Sequence, residues 1–233
     1  MTGRIYTIRP EPGYSQTIDS GRELGLDMAG EPLFEIETVA WNLPEELAFD
    51  GLLIGSGNVF RHGGEQMAKL AFIPVLAVGK TTADVAKNAG FSVAQTGSGG
   101  LQELLNSLTV RSLKLLRLGG QDRVSLTPPR GITITDRVVY RAAMRAMSTQ
   151  MSEALGPGGV VLLHSARAAR HFAEECDRCG IQRAKIAIAA IAPRVAESAG
   201  KGWKSVSVAP SADDTALLAL ARDMCNNNQE LRR

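Results

Sequence analysis

The stretch LLIGSGNVFRH from Leu52 and the stretch VLLHSARAARH from Val161 are one phrase written twice: branched apolar residues, a serine among small residues, then an Arg-His pair. The chain around and beyond each phrase is duplicated too. FDGLLIGSGN, HGGEQMAKLA, FIPVLAVGK, TTADVAKNAG, FSVAQTGSGG and LQELLNSL read as strand, helix, strand, helix, strand with loop, and helix. GGVVLLHS, ARAARHFAEECDRCG, KIAIAAIAP, RVAESAG, KSVSVAPS and ADDTALLALARDM repeat that order roughly 110 residues later. A strand that is apolar along its whole length must bury both faces, and strands alternating with helices achieve this in a parallel sheet covered on both sides. The spacing therefore predicts an α/β chain: two similar α/β domains with parallel sheets, flavodoxin- or Rossmann-like, joined by a two-stranded β connector.

The connector is read from two further segments. EPLFEIETVAW (31–41) and ITITDRVVYRAAM (132–144) alternate like half-exposed strands and mirror each other around the first copy. The opening run RIYTIRP (4–10), followed by helical spacing in PGYSQTIDSGRELG (12–25), is too short for a domain and is expected to complete the C-terminal unit. That gives a discontinuous first domain, 1–36 with 143–233, and a second, 37–142, that includes the connector strands. The polar tail CNNNQELRR is expected to fray.

Composition excludes several classes. With 233 residues, 44% hydrophobic and 21% charged, the chain holds one large core or two modest ones. Its formal charge of +2 is too small to draw nucleic acid by bulk electrostatics. No apolar run approaches the roughly 20 residues that span a bilayer, and MTGRIYTIRPEPG lacks an export pattern, so the expectation is a cytoplasmic protein without a membrane partner. Cys176 and Cys179 form a single CxxC at a helix end, without the second pair a structural zinc needs, and His62, His164 and His171 are scattered. No metal is expected. AVGKTT has the ending of a phosphate loop, but the earlier glycine falls at Pro74 inside a strand; GSGNVF starts like a dinucleotide fingerprint but has Phe60 for the third glycine. Neither serine phrase has the outer glycines of a nucleophile elbow. No cofactor is expected, and with no long exposed apolar helix the chain is expected to be a monomer.

In open parallel sheets ligands sit beyond the carboxyl ends of the strands, where helix N-termini present free N–H groups and partial positive charge. The turns placed there are Gly55-Ser56-Gly57-Asn58, Gly79-Lys80-Thr81-Thr82, Gly97-Ser98-Gly99-Gly100, His164-Ser165-Ala166-Arg167, Ala192-Pro193-Arg194 and Pro210-Ser211. They are small, rich in hydroxyls and almost without carboxylates, which suits an acidic ligand. Ser56, Thr82, Ser165 and Ser211 read either as helix N-caps or as ligand contacts, and a cap leaves its neighbours' amides available. A non-catalytic two-domain protein that binds a small polyanion fits the same turns.

Taken together, TIRPEPG, FDGLLIGSGNVFRH, PVLAVGKTTADVAKNAGF, LLRLGG, DRVVYRA, VVLLHSARAARHFAE, AIAPRVAESAGKGW and VAPSADDTALLALAR make the chain resemble the uroporphyrinogen-III synthase family along nearly its whole length. The resemblance implies a hydro-lyase of porphyrin biosynthesis that closes linear hydroxymethylbilane, which carries eight carboxylates, to uroporphyrinogen III with loss of water and inversion of ring D. Tyr140 matches the family's connector tyrosine, implied to donate a hydrogen bond or proton to the departing hydroxyl; the plainer reading is a tyrosine packing a connector strand. Ser56 and Ser165 match the serines after the first strand of each unit, and Thr82 the threonine of a VG-x-x-T turn. Gly57, Asn58, Thr81, Ala166, Arg167, Pro193 and Arg194 complete the expected substrate-binding set. A transient contact with the enzyme that makes hydroxymethylbilane is also implied. Two departures stand out: Ala192-Pro193-Arg194-Val195 lacks a frequent threonine, with Arg194 as a cation in its place, and VSLTPPRG is shorter than the family's usual helix there. Arg61 and Arg167 read equally as guides for a polyanion and as solvated side chains.

Overall fold

A computed structural model gives the fold and describes residues 3–109 and 112–230. The chain starts with β1 (Ile5–Thr7), α1 (Gly13–Glu23) and β2 (Met28–Gly30), the last a three-residue strand parallel to β1. β3 (Phe34–Thr38) carries it into the first copy of the repeat: β4 (Gly51–Ile54), α2 (Asn58–His62), α3 (Glu65–Ala68), β5 (Val75–Val78), α4 (Lys80–Asn88), β6 (Val93–Gly97), α5 (Leu101–Asn106) and β7 (Leu113–Gly120). The long β8 (Ile132–Met144) leads out, and after α6 (Thr149–Leu155) the second copy runs as β9 (Gly159–Leu163), α7 (Ala166–Arg178), β10 (Ile186–Ala190), α8 (Pro193–Ala199), β11 (Ser205–Val208) and α9 (Asp214–Glu230).

The chain divides into two compact units, Met1–Glu35 with Met144–Arg233, and Ile36–Ala143. The first holds a five-stranded sheet ordered β11-β10-β9-β1-β2, parallel throughout. The second is built on a sheet ordered β3-β8-β7-β4-β5-β6, parallel from β8 to β6. Matching the repeated phrase pairs β4 with β9, β5 with β10 and β6 with β11; β7 then corresponds to β1 and β8 to β2. Spatial order is the same in both units, while chain order is circularly permuted. One counterpart is missing: α1 lies between β1 and β2, but residues 121–131 between β7 and β8 form no helix.

The continuous apolar strands are buried as their pattern requires. In the second unit Leu52, Ile54, Leu116 and Leu118 face one side of the sheet with Val59, Ala83 and Ala86, while Leu53, Leu115 and Ile132 face the other with Leu104 and Leu105. In the first, Ile5, Val160, Leu162, Ala187 and Ala189 pack beneath Ile18 of α1 and Leu217, Leu218 and Ala221 of α9. The connector reading also has a concrete form. β8 runs parallel to β7 from Ile132 to Tyr140. It is antiparallel to β3, since Val39 N–H donates to Val139 and Arg145 N–H to Leu33, and Arg141 pairs with Glu37 at 2.8 Å.

Local differences from the pattern have local causes. HGGEQMAKLA is not one helix: α2 starts earlier, at Asn58, and stops at Gly63 and Gly64, the latter at φ 65°, before α3. The tail does not fray at Cys225, since α9 runs on to Glu230, and 231–233 lie outside the described residues. Among the described residues no helix is long and apolar enough to cross a membrane.

Candidate active site

In the second unit the chemistry-bearing turn comes after β4. Ser56 does not cap α2, whose N-cap is Gly57; its hydroxyl accepts the Asn58 N–H at 3.3 Å within the turn. Asn58 in turn accepts from Arg61 Nη1 at 3.1 Å, so Arg61 is engaged with the turn. A Cβ at Gly57 would lie 3.2 Å from Val85, which brings this turn against α4. Gly79 is the N-cap of α4 and takes φ 80°, a left-handed conformation that glycine adopts without strain. Thr82 is therefore no cap: it lies in the first turn of α4 and is 7% exposed, whereas Thr81 beside it is exposed.

Tyr140 belongs to the same unit, and its position is built by a sheet irregularity. The β7–β8 register shifts between Gly119 and Gly120, which places Gly120 opposite Tyr140. A Cβ on Gly120 would sit 2.7 Å from the Tyr140 ring, so the missing side chain is the space the ring fills. The ring also packs against the Leu52, Ile54 and Leu116 cluster, and its other neighbour is His62, with centroids 6.3 Å apart. Among the described residues the Tyr140 hydroxyl has no hydrogen-bond partner, leaving its donor available. Burial, with Arg61 adding to it, pushes the His62 imidazole below its ordinary range and favours the neutral ring.

In the first unit Ser165 is a true N-cap: its hydroxyl accepts the Ala168 N–H at 3.1 Å as α7 begins at Ala166. α7 packs on α8, where Pro193 is the first residue after the Ala192 N-cap; Arg194 is exposed. Arg167 lies over the Phe34 ring at 5.3 Å, so it stacks on an aromatic face and is not merely solvated. Ser211 is no cap either, because Asp213 accepts the Ala216 N–H at 2.9 Å and Ser211 itself donates to Asp213.

Carboxylates, sparse in the turns by sequence, arrive in space from elsewhere. The Glu103 carboxylate lies where a side chain on Gly99 would be. Asp214, at the start of α9, meets His164 Nε2 at 2.7 Å, accepts from Thr17 at 2.7 Å and pairs with Arg9 at 3.3 Å. Burial is the largest influence on that carboxyl and acts upward, but His164, Thr17 and Arg9 together hold it below the ordinary range. Burial depresses His164 against the pull of Asp214. Sequence reasoning missed this network, whose members come from separate places in the chain; the sole signal was that Arg9 and His164 each come just after a strand.

The site residues thus fall into two sets, Ser56, Gly57, Asn58, Thr81, Thr82 and Tyr140 in one unit and Ser165, Ala166, Arg167, Pro193 and Arg194 in the other. Among the described residues no group of three or more His, Cys, Asp or Glu is arranged to hold a metal.

No curated protein sequence matches the chain. Among solved structures it is similar to the uroporphyrinogen-III synthetase from Helicobacter pylori 26695, with 16% identity over 95% of this chain and 99% of that one and a TM-score of 0.65, which establishes the two-domain α/β fold. A mutant uroporphyrinogen III synthase from Thermus thermophilus matches at 17% identity over 96% of this chain and 99% of that one, with a TM-score of 0.49. The family model for uroporphyrinogen-III synthase HemD matches residues 15–219, across both copies of the repeat. The chain belongs to the uroporphyrinogen-III synthase family, hydro-lyases of haem biosynthesis that act on a small tetrapyrrole substrate.

Proposed function

We propose that this chain closes hydroxymethylbilane to uroporphyrinogen III, and that the residues named above divide the work. The observation that carries the reading is the family match across both copies of the repeat. Ser56, Gly57, Asn58, Thr81 and Thr82, and likewise Ser165, Ala166, Arg167 and Arg194, bind carboxylates of the substrate through backbone N–H groups, hydroxyls and two cations, with Pro193 fixing the start of α8 beside Arg194. Distributing many hydrogen bonds over many acid groups fixes the conformation of a flexible chain, which is the larger part of the catalysis.

Tyr140 supplies the acid. Its hydroxyl hydrogen-bonds the departing hydroxyl of the bilane and gives it a proton; the C–O bond breaks, water leaves, and the pyrrole nitrogen's lone pair forms the azafulvene. The substituted α-carbon of ring D attacks that carbon and forms a spiro intermediate. This fragments, recloses with ring D inverted, and loses a proton to restore the pyrrole and balance the one received. The unpartnered hydroxyl of Tyr140 and the glycine-made space that holds its ring support this role. The chain works as a cytoplasmic monomer that meets the hydroxymethylbilane-producing enzyme only transiently.

Kinetics of Tyr140→Phe test the assignment. Turnover of hydroxymethylbilane is expected to fall at least about tenfold, the scale of one hydrogen bond to a developing charge, with the circular dichroism unchanged. Unchanged turnover would remove Tyr140 from the mechanism.

A further inference from the structure

A cavity of about 550 Å³ lies in the second unit, lined by Arg117, Arg123, Val124, Leu126, Ile134 and Asp136 among others. It lies where the second unit lacks a helix that the first unit has. In the first unit α1 bridges β1 and β2 and its Ile18 packs on Ile5. Between β7 and β8 the chain has only the helix-free segment 121–131, and this segment, not a helix, walls the cavity on the sheet face beneath it. Leu126 and Ile134 pack with the Leu53, Leu104 and Leu115 cluster, whereas Tyr140 packs with Leu52, Ile54 and Leu116. The cavity is therefore on the opposite face of the sheet from the tyrosine.

Its chemistry is unusual for such a face. Arg117 stands in β7 opposite Leu53, and the equivalent strand position in the first unit, opposite Leu162, is Thr7. A guanidinium occupies a place where the duplicate carries a small side chain, and the residue is 4% exposed. Its Nη2 donates to the Val124 carbonyl at 2.9 Å, and Asp136 lies 3.6 Å away. That carboxylate is shared, since Arg123 reaches it at 3.2 Å. Two guanidiniums share this one carboxylate, and burial, opposed by Asp136, depresses the Arg117 guanidinium below its ordinary range. Beside the charges, Val124, Leu126, Pro128 and Ile134 supply apolar wall.

We propose that this cavity is a second binding site, for a small organic monoanion whose carboxylate meets Arg117 and Arg123 while its apolar body lies against Val124, Leu126 and Ile134. The volume is in the range of small-molecule sites, and the charged groups converge beside an apolar side.

Calorimetric titration of the whole chain with benzoate, against neutral benzamide, tests it. Benzoate is expected to bind once per chain and about tenfold or more tighter than benzamide, and to shift the amide resonances of Val124, Ser125 and Leu126. Arg117→Met can fail to fold, so two surface changes carry the test. Arg123→Gln should weaken benzoate severalfold, and Asp136→Asn, which releases both guanidiniums, should tighten it. Because loss of the Asp136 charge frees both guanidiniums whatever their role, the preference for benzoate over benzamide in the unaltered chain, the single stoichiometry and the loss in Arg123→Gln decide the test. Benzoate binding no tighter than benzamide, affinities unmoved by the two substitutions, or shifts confined to the turns at Ser56 and Ser165 would overturn the site.

Discussion

Gly120 matters to Tyr140 as much as any side chain does. Its Cβ would lie 2.7 Å from the ring, so Gly120→Ala should displace the ring and lower turnover about as far as Tyr140→Phe, roughly tenfold, while urea denaturation shows a folded protein. Full activity in Gly120→Ala would show that the ring's position is unimportant. Tyr140 was legible in the sequence through its resemblance to a family tyrosine, but Gly120 was not, because the register shift that pairs them belongs to the sheet. The Arg9, Thr17, Asp214 and His164 network was equally hidden, its members meeting only after the chain folds. It makes a prediction about pH. His164 is held below its ordinary value of 6.5, so in acid the unfolded chain binds a proton that the native chain refuses. Stability from this group is complete above about pH 6.5 and is lost as pH falls toward the native value. His164→Gln should flatten the stability profile below pH 6.5, measured by urea denaturation across pH; an unchanged slope would count against the depressed value.

Among the elements, the long apolar strands were readable because burial on both faces leaves a continuous run that no other local structure produces as economically. β4, β5, β9 and β10 all have that pattern. β2 escaped notice because three residues carry no periodicity, and its identity as a strand is fixed by its neighbour β1. α6 went unread for a similar reason: its short run buries only Met151 and Leu155, and Ser148 marks its start by accepting the Met151 N–H. Helix starts also separate residues that look alike in sequence. Ser165 caps α7, so Ser165→Ala should cost about 1 kcal/mol of stability. Ser56 caps no helix, and Ser56→Ala should cost less than about 0.5 kcal/mol, as surface substitutions generally do. Equal losses, read from denaturation midpoints, would contradict this distinction.

At the scale of the molecule, duplication was visible in the sequence but permutation was not. The repeat announced two α/β units, and the opening strand and helix could be assigned to the C-terminal one because they were too short to stand alone. That β1 and β2 play in one sheet the part of β7 and β8 in the other emerges only from strand order. The permutation exposes the place where a helix is absent, and with it the Arg117 cavity. The central claim concerns the whole chain: it closes hydroxymethylbilane with inversion of ring D. Hydroxymethylbilane left in buffer cyclises without inversion, so the products carry the answer. Incubation with the purified chain and then chromatographic separation of the two uroporphyrinogen isomers should give the inverted type III isomer in large excess over the spontaneous type I product. Type I alone, formed no faster than in buffer, would contradict it.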